Sequence, residues 1–124
     1  MRSFDRRSRK PSLPACLGAL LAGASIALSA YAAHGLSDPL AQSRLQTAAL
    51  YAFGHGAVLA VLGSPLAERR LGTAALWVLL LGTLLFSGSL AGAVLAGWPT
   101  TLAPVGGSAL MFGWLLLAVQ SLRR

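Results

Sequence analysis

Two histidines, one cysteine and a few serines are the residues through which this chain could do chemistry. His55 stands out because it interrupts Tyr51-Ala52-Phe53-Gly54-His55-Gly56-Ala57-Val58-Leu59, a run otherwise composed like the interior of a membrane helix. On a helix turning about 100° per residue, Arg44, Thr47, Tyr51 and His55 project within about 80° of one another. They form a polar stripe, and polar groups at membrane depth are costly unless satisfied, so this face should look into a bundle. Two uses of it are open. The stripe could wall a small polar cavity in which His55 accepts a proton or binds a ligand. It could equally be interhelical glue, with Tyr51 and His55 hydrogen-bonded to serines or backbone carbonyls of neighbouring helices.

Other chemistry is poorly provided for. His34 falls at the end of an apolar run while His55 lies about 16 Å deeper than Arg44, so the two do not share the depth that a bis-histidine haem or metal site requires. His34 followed by Gly35 reads as a helix C-terminus, the glycine free to turn left-handed. No H-x-x-x-H or C-x-x-C spacing occurs, and Cys16 has no second cysteine to pair with. There is no G-x-S-x-G, no carboxylate inside an apolar run, and no base for Ser87, Ser89 or Ser108 other than His55. The expectation is a chain that is not an enzyme and holds no cofactor or metal.

The elements that must position these residues follow from composition. Of 124 residues, 56% are hydrophobic and 10% charged, against roughly 25% charged in a soluble domain. Apolar runs cover Leu13 to Ala33, Leu45 to Gly63 (with a helix start at Asp38-Pro39), Leu71 to about Ala96, and Leu102 to Val119. Each is close to the roughly 20 residues that cross ~30 Å of hydrocarbon. The connections are short, so consecutive helices are antiparallel neighbours. The reading is an all-α membrane protein: a basic cytoplasmic segment, 1–12, then a transmembrane domain, 13–124, of four helices in an up-down bundle.

Charge sets the orientation. Arg2, Arg6, Arg7, Arg9 and Lys10 precede the first span, Arg69 and Arg70 follow the second, Arg123 and Arg124 follow the fourth, and only Arg44 falls on the other side. The positive-inside bias then places both termini in the cytoplasm. The basic residues sit in short clusters without a polar domain, which argues against nucleic acid as a partner. Partners should be the lipid bilayer and either a second copy or another membrane protein. Ala30-Tyr31-Ala32 after an apolar run resembles a signal-peptidase site, but about twenty apolar residues exceed the usual 7–15 of a signal core, and the first helix is expected to be retained.

Small residues mark the packing faces. Gly18, Ala22, Ser25, Ser29 and Ala33 make a seam on the first helix, Gly88 and Gly92 a G-x-x-x-G on the third, and Gly106, Gly107 and Gly113 thin the fourth. Gly88 and Gly92 are the expected seam for helix contact, between copies or within one. Trp98 is placed at the outer interface, and Trp77 and Trp114 in packing or lipid contact.

Four stretches taken together resemble a known group: Ala33-His34-Gly35-Leu36, Tyr51 with His55, Gly82 through Phe86-Ser87-Gly88-Ser89-Leu90, and Pro104-Val105-Gly106-Gly107 with Gly113-Trp114. Their order and spacing are similar to the YgdD-like family, small inner-membrane proteins of unknown function whose animal relatives are called transmembrane protein 256. Where the family pattern reads G-A-x-G-A-H, this chain has Ser29-Ala30-Tyr31-Ala32-Ala33-His34; where it reads Y-Q-x-x-H, this chain has Tyr51-Ala52-Phe53-Gly54-His55. The resemblance implies a four-helix protein of the bacterial inner membrane and no established activity. The expected role is a structural or accessory component acting through helix packing. The alternative is a small transporter or channel built on Arg44, Thr47, Tyr51 and His55.

Overall fold

A computed structural model describes residues 10–123. The first nine residues of the basic segment lie outside the described residues. Four helices follow in order, α1 (Leu13–His34), α2 (Pro39–Leu62), α3 (Arg70–Ala96) and α4 (Leu102–Ser121). Their starts are written in the side chains. The Ser12 hydroxyl accepts from the Ala15 N–H at 3.2 Å, with Pro14 in the first turn. The Asp38 carboxylate accepts from the Ala41 N–H at 2.9 Å, with Pro39 as the first helical residue. Each cap satisfies an N–H that the helix leaves free. At 1.5 Å per residue the helices are roughly 30 to 40 Å long, and all four are long and apolar enough to cross a membrane.

The C-terminal ends differ from expectation in one place. Gly35 is not left-handed: its φ is −101°, and its N–H donates to Tyr31 O at 2.7 Å, continuing the helical pattern. The Tyr31 ring explains the glycine, because a Cβ there would lie 2.7 Å from Cε2. Gly97 takes the left-handed conformation instead, with φ of 70°. That turn brings Trp98 back over the end of α3, where its N–H donates to Gly92 O at 3.1 Å and its indole lies on Gly92.

The helices form an up-down bundle in which α1 packs on α2, α2 on α3 and α3 on α4. Among the described residues α1 and α4 do not meet, so the bundle is open along one side. The central α2 and α3 supply most of the buried surface, and Leu59, Leu76, Leu79, Leu80 and Leu110 form the core. Both hairpins close through glycine. A Cβ on Gly18 would lie 2.6 Å from Gly56 O, and one on Gly56 would lie 2.6 Å from Gly18 O. In the second hairpin a Cβ on Gly106 would lie 2.8 Å from Gly82 O, and one on Gly82 would lie 3.0 Å from Leu110 N. Backbone touches backbone at both crossings, which side chains larger than hydrogen would prevent.

The antiparallel order gathers charge at one end. Lys10 pairs with Glu68, and Ser64 Oγ donates to Lys10 O at 2.5 Å, so the start of α1 and the α2–α3 loop are adjacent. Arg69, Arg70 and Arg123 stand at this same end around a shared recess.

Candidate polar network

His55 sits mid-helix on α2 and is 7% exposed. Its Nδ1 lies 2.8 Å from Tyr51 O, one turn back on the same helix, and its Nε2 lies 3.0 Å from Trp114 Nε1 on α4. An indole N–H can only donate, so Nε2 must be the acceptor and the proton must sit on Nδ1, donating to the Tyr51 carbonyl. The two contacts together define one tautomer of a neutral imidazole. Both ring nitrogens are engaged, and neither lies on a serine. Ser87 Oγ donates to Ala48 O at 2.8 Å, tying α3 to α2, while Ser108 Oγ turns to Pro104 O on its own helix.

Trp114 was expected in packing or lipid contact, and the structure gives it the further role of partner to His55. The Cα atoms of α2 and α4 stay more than 8 Å apart among the described residues. Two large side chains bridge that gap. The rings also form a row: Phe86 meets Tyr51 edge-on at 4.8 Å between centroids, Tyr51 stacks over His55 at 6.0 Å, and His55 meets Trp114 edge-on at 5.8 Å. Three helices, α3, α2 and α4, are thereby joined through α2.

The stripe does not face inward as a unit. His55 is buried, Arg44 and Thr47 are half-buried, and Tyr51 is 41% exposed. The spread of about 80° that defined the stripe is wide enough to carry its members from the α3-facing side to the surface. His34, the last residue of α1, is exposed and stands well apart, lining a groove of about 540 Å³ between α1 and α2. On the floor of that groove Ser29 Oγ donates to Gln46 Oε1 at 2.8 Å, and Gln46 Nε2 returns a bond to Ser29 O at 3.2 Å. Gln42 Nε2 donates to Leu36 O at 2.6 Å and fastens the α1–α2 loop. Neither glutamine is among the residues singled out from the sequence. Their spacing of four on α2 was the signal that both address the α1 side.

Of the glycines expected to pack, Gly106 and Gly113 do: a Cβ on Gly113 would lie 2.8 Å from Leu79 Cδ2. Gly107 has only the Phe86 ring at 3.8 Å. Gly88 and Gly92 are not a seam within the chain. Gly88 faces open space, and Gly92 is covered by Trp98, because the left-handed turn at Gly97 folds the indole onto that face before another helix can reach it. The glycines that close the hairpins on α2 and α3, Gly56 and Gly82, are not among those expected to pack.

Among the described residues, every deeply buried side-chain nitrogen or oxygen has a hydrogen-bond partner. In hydrocarbon that is the condition for a polar residue to be tolerated.

Residues 28–107 match the family described as "Protein of unknown function (DUF423)". A "UPF0382 membrane protein" of Haemophilus influenzae is 38% identical over 107 residues, covering 79% of this chain and 84% of its own. One from Staphylococcus epidermidis is 33% identical over 113 residues, covering 86% of this chain and 93% of its own. No solved structure matches. With most of the chain aligned to these bacterial membrane proteins, this multi-pass chain belongs to the DUF423 family of UPF0382 membrane proteins, the group its YgdD-like motifs pointed to.

Proposed function

We propose that this protein is a non-enzymatic structural or accessory component of the bacterial cytoplasmic membrane, with both termini in the cytoplasm, acting through helix contacts. The observation that carries the reading is the double engagement of His55. A histidine that binds a ligand needs a ring nitrogen open to it, and one that relays protons needs water or a titratable group at its nitrogens, whereas both nitrogens here are engaged by the Tyr51 carbonyl and the Trp114 indole, neither of which exchanges a proton near neutral pH. The same economy holds for Ser87 on Ala48 O and for Ser29 on Gln46. Orientation rests on Lys10, Arg69, Arg70 and Arg123 at one end against Arg44 toward the other.

Two experiments test this. Reporter fusions after residue 123 and near Ser64 should score cytoplasmic and a fusion near Gly97 external; a cytoplasmic Gly97 would refute the orientation. For the role of His55, His55→Asn keeps a donor and an acceptor but cannot take up a proton near neutral pH. If the residue is a packing element, Asn should recover most of the stability lost in His55→Leu, along with any growth phenotype. A stable His55→Asn protein without function would instead favour a transport role for the stripe of Arg44, Thr47, Tyr51 and His55.

A further inference from the structure

At the basic end of the bundle a cleft of about 600 Å³ opens between the end of α2, the loop after it, and the last turns of α4. Its walls are apolar and supplied by Leu62, Leu66, Leu117 and Trp114, and its mouth carries Arg69 and Arg123. The wall is a built one. Thr73 Oγ1 donates to Leu66 O at 2.8 Å, and the Leu66 side chain lies on Gly72, where a Cβ would be 3.0 Å from Cδ2. A smaller, polar recess of about 220 Å³, lined by Arg69, Arg70, Arg123 and Glu68, adjoins it. Gln120 lines both spaces. The residue is only 9% exposed, and its amide, which makes no hydrogen bond among the described residues, keeps its remaining access to these two spaces.

We infer that this cleft is a binding site for an anionic phospholipid. From Trp114 to Arg123 the cleft runs about 13 Å along α4, close to half of a ~30 Å hydrocarbon core, so an acyl chain lying on Leu62, Leu117 and Trp114 would bring its phosphate to the arginines. The charge there is positive and available. Glu68 is taken by Lys10, while Arg69, Arg70 and Arg123 have no carboxylate partner among the described residues. The first turn of α3 adds its free N–H groups, since Arg69 gives no side-chain cap and no acid follows in that turn. The carbonyl end of α4 opposes an anion, and the Gln120 amide, placed at the junction of the apolar and polar spaces, supplies a donor where that opposition would be felt. Basic pockets between helices at a membrane face are suited to phospholipid headgroups. A soluble anion would satisfy the arginines and leave the leaflet-deep apolar wall without purpose. The inference is independent of whether the protein is an accessory component.

The test is native mass spectrometry of the full chain in detergent, titrated with phosphatidylglycerol, phosphatidylcholine or inorganic phosphate. The expected result is retention of phosphatidylglycerol in preference to phosphatidylcholine, and no retention of phosphate. Arg69→Gln with Arg123→Gln should weaken phosphatidylglycerol binding by about fivefold per arginine. The charge-matched pair Arg6→Gln with Arg7→Gln should leave it near the parent value. Gln120→Leu, which alters no charge, should weaken it as well, and this variant separates a built site from attraction to a basic surface. Equal retention of both lipids, equal loss in the two arginine pairs with Gln120→Leu unaffected, or binding of phosphate alone would each overturn the assignment. Thermal unfolding of every variant without lipid confirms that a loss of binding is read on folded protein.

Discussion

Within each hairpin, α1 against α2 and α3 against α4, glycines let two backbones touch at Gly18–Gly56 and Gly82–Gly106. Between the hairpins, α2 meets α3 through leucines and the Ser87 bond to Ala48 O, and reaches α4 through side chains, with the hydrogen bond between His55 and Trp114 joining them. The two kinds of joint respond differently to change. A backbone-to-backbone crossing has no side chain to move aside, so any added atom must push two helices apart. A joint of leucines and single hydrogen bonds has rotamers to adjust, and it loses only what is removed. The hairpins are therefore the rigid units, and the α2–α3 face with its aromatic row is the adjustable one.

That contrast can be broken most severely at the glycines. Gly106→Leu or Gly56→Leu should cost at least the ~1–3 kcal/mol of overpacking, and more because backbone rather than side chain stands in the way; the measurement is folded yield and unfolding in a denaturing detergent. A well-folded Gly106→Leu protein would mean that the α3–α4 crossing is wider than the structure has it. Next in size is His55→Leu, which leaves the Trp114 N–H without its acceptor and should cost about 1–2 kcal/mol. Combining it with Trp114→Phe should cost less than the two separate losses added together, by roughly 0.6–1.7 kcal/mol. Strict additivity in that cycle would remove the bond from the account. Ser87→Ala should be milder, about 0.6 kcal/mol, since the Ala48 carbonyl keeps its place in the α2 ladder. Smallest is Gly88→Ile, expected to change unfolding by less than about 0.5 kcal/mol because the position faces open space. If crosslinking between differently tagged copies falls in this variant while stability holds, Gly88 belongs to a surface between molecules.

The parts of this architecture that depend on neighbours in sequence could be read from it. Asp38-Pro39 announced α2, Ser12 and Pro14 cap α1 by the same chemistry, and Pro104 falls in the first turn of α4, where its missing N–H costs nothing. The seam of Gly18, Ala22 and Ser25 on α1 lies against α2, as four-residue spacing on one face implies. What depends on the register of one helix against another was not legible. Gly88 and Gly92 have the better motif, yet the turn at Gly97 decides that Trp98 covers one of them and that the crossing occurs at Gly82. The bond from His55 to Trp114 joins residues 59 apart and requires the tilt of α4 relative to α2, which no local pattern encodes. The facing of the polar stripe was likewise not legible, because the direction of a face is set by where the partner helices lie, and Tyr51 ends 41% exposed.

The openness of the bundle along α1 and α4 has a consequence for biogenesis. Each helix finds its principal partner in the segment made just before it or just after it, and no contact joins the first helix to the last among the described residues. Loop closure between distant segments is the slow, entropically costly step in assembly. This chain largely avoids it: the α1–α2 hairpin can seat Gly18 on Gly56 while α3 is still being synthesised, and α4 docks chiefly on α3, the segment made just before it. Assembly can keep pace with the ribosome, because a segment entering the bilayer meets its partner already there.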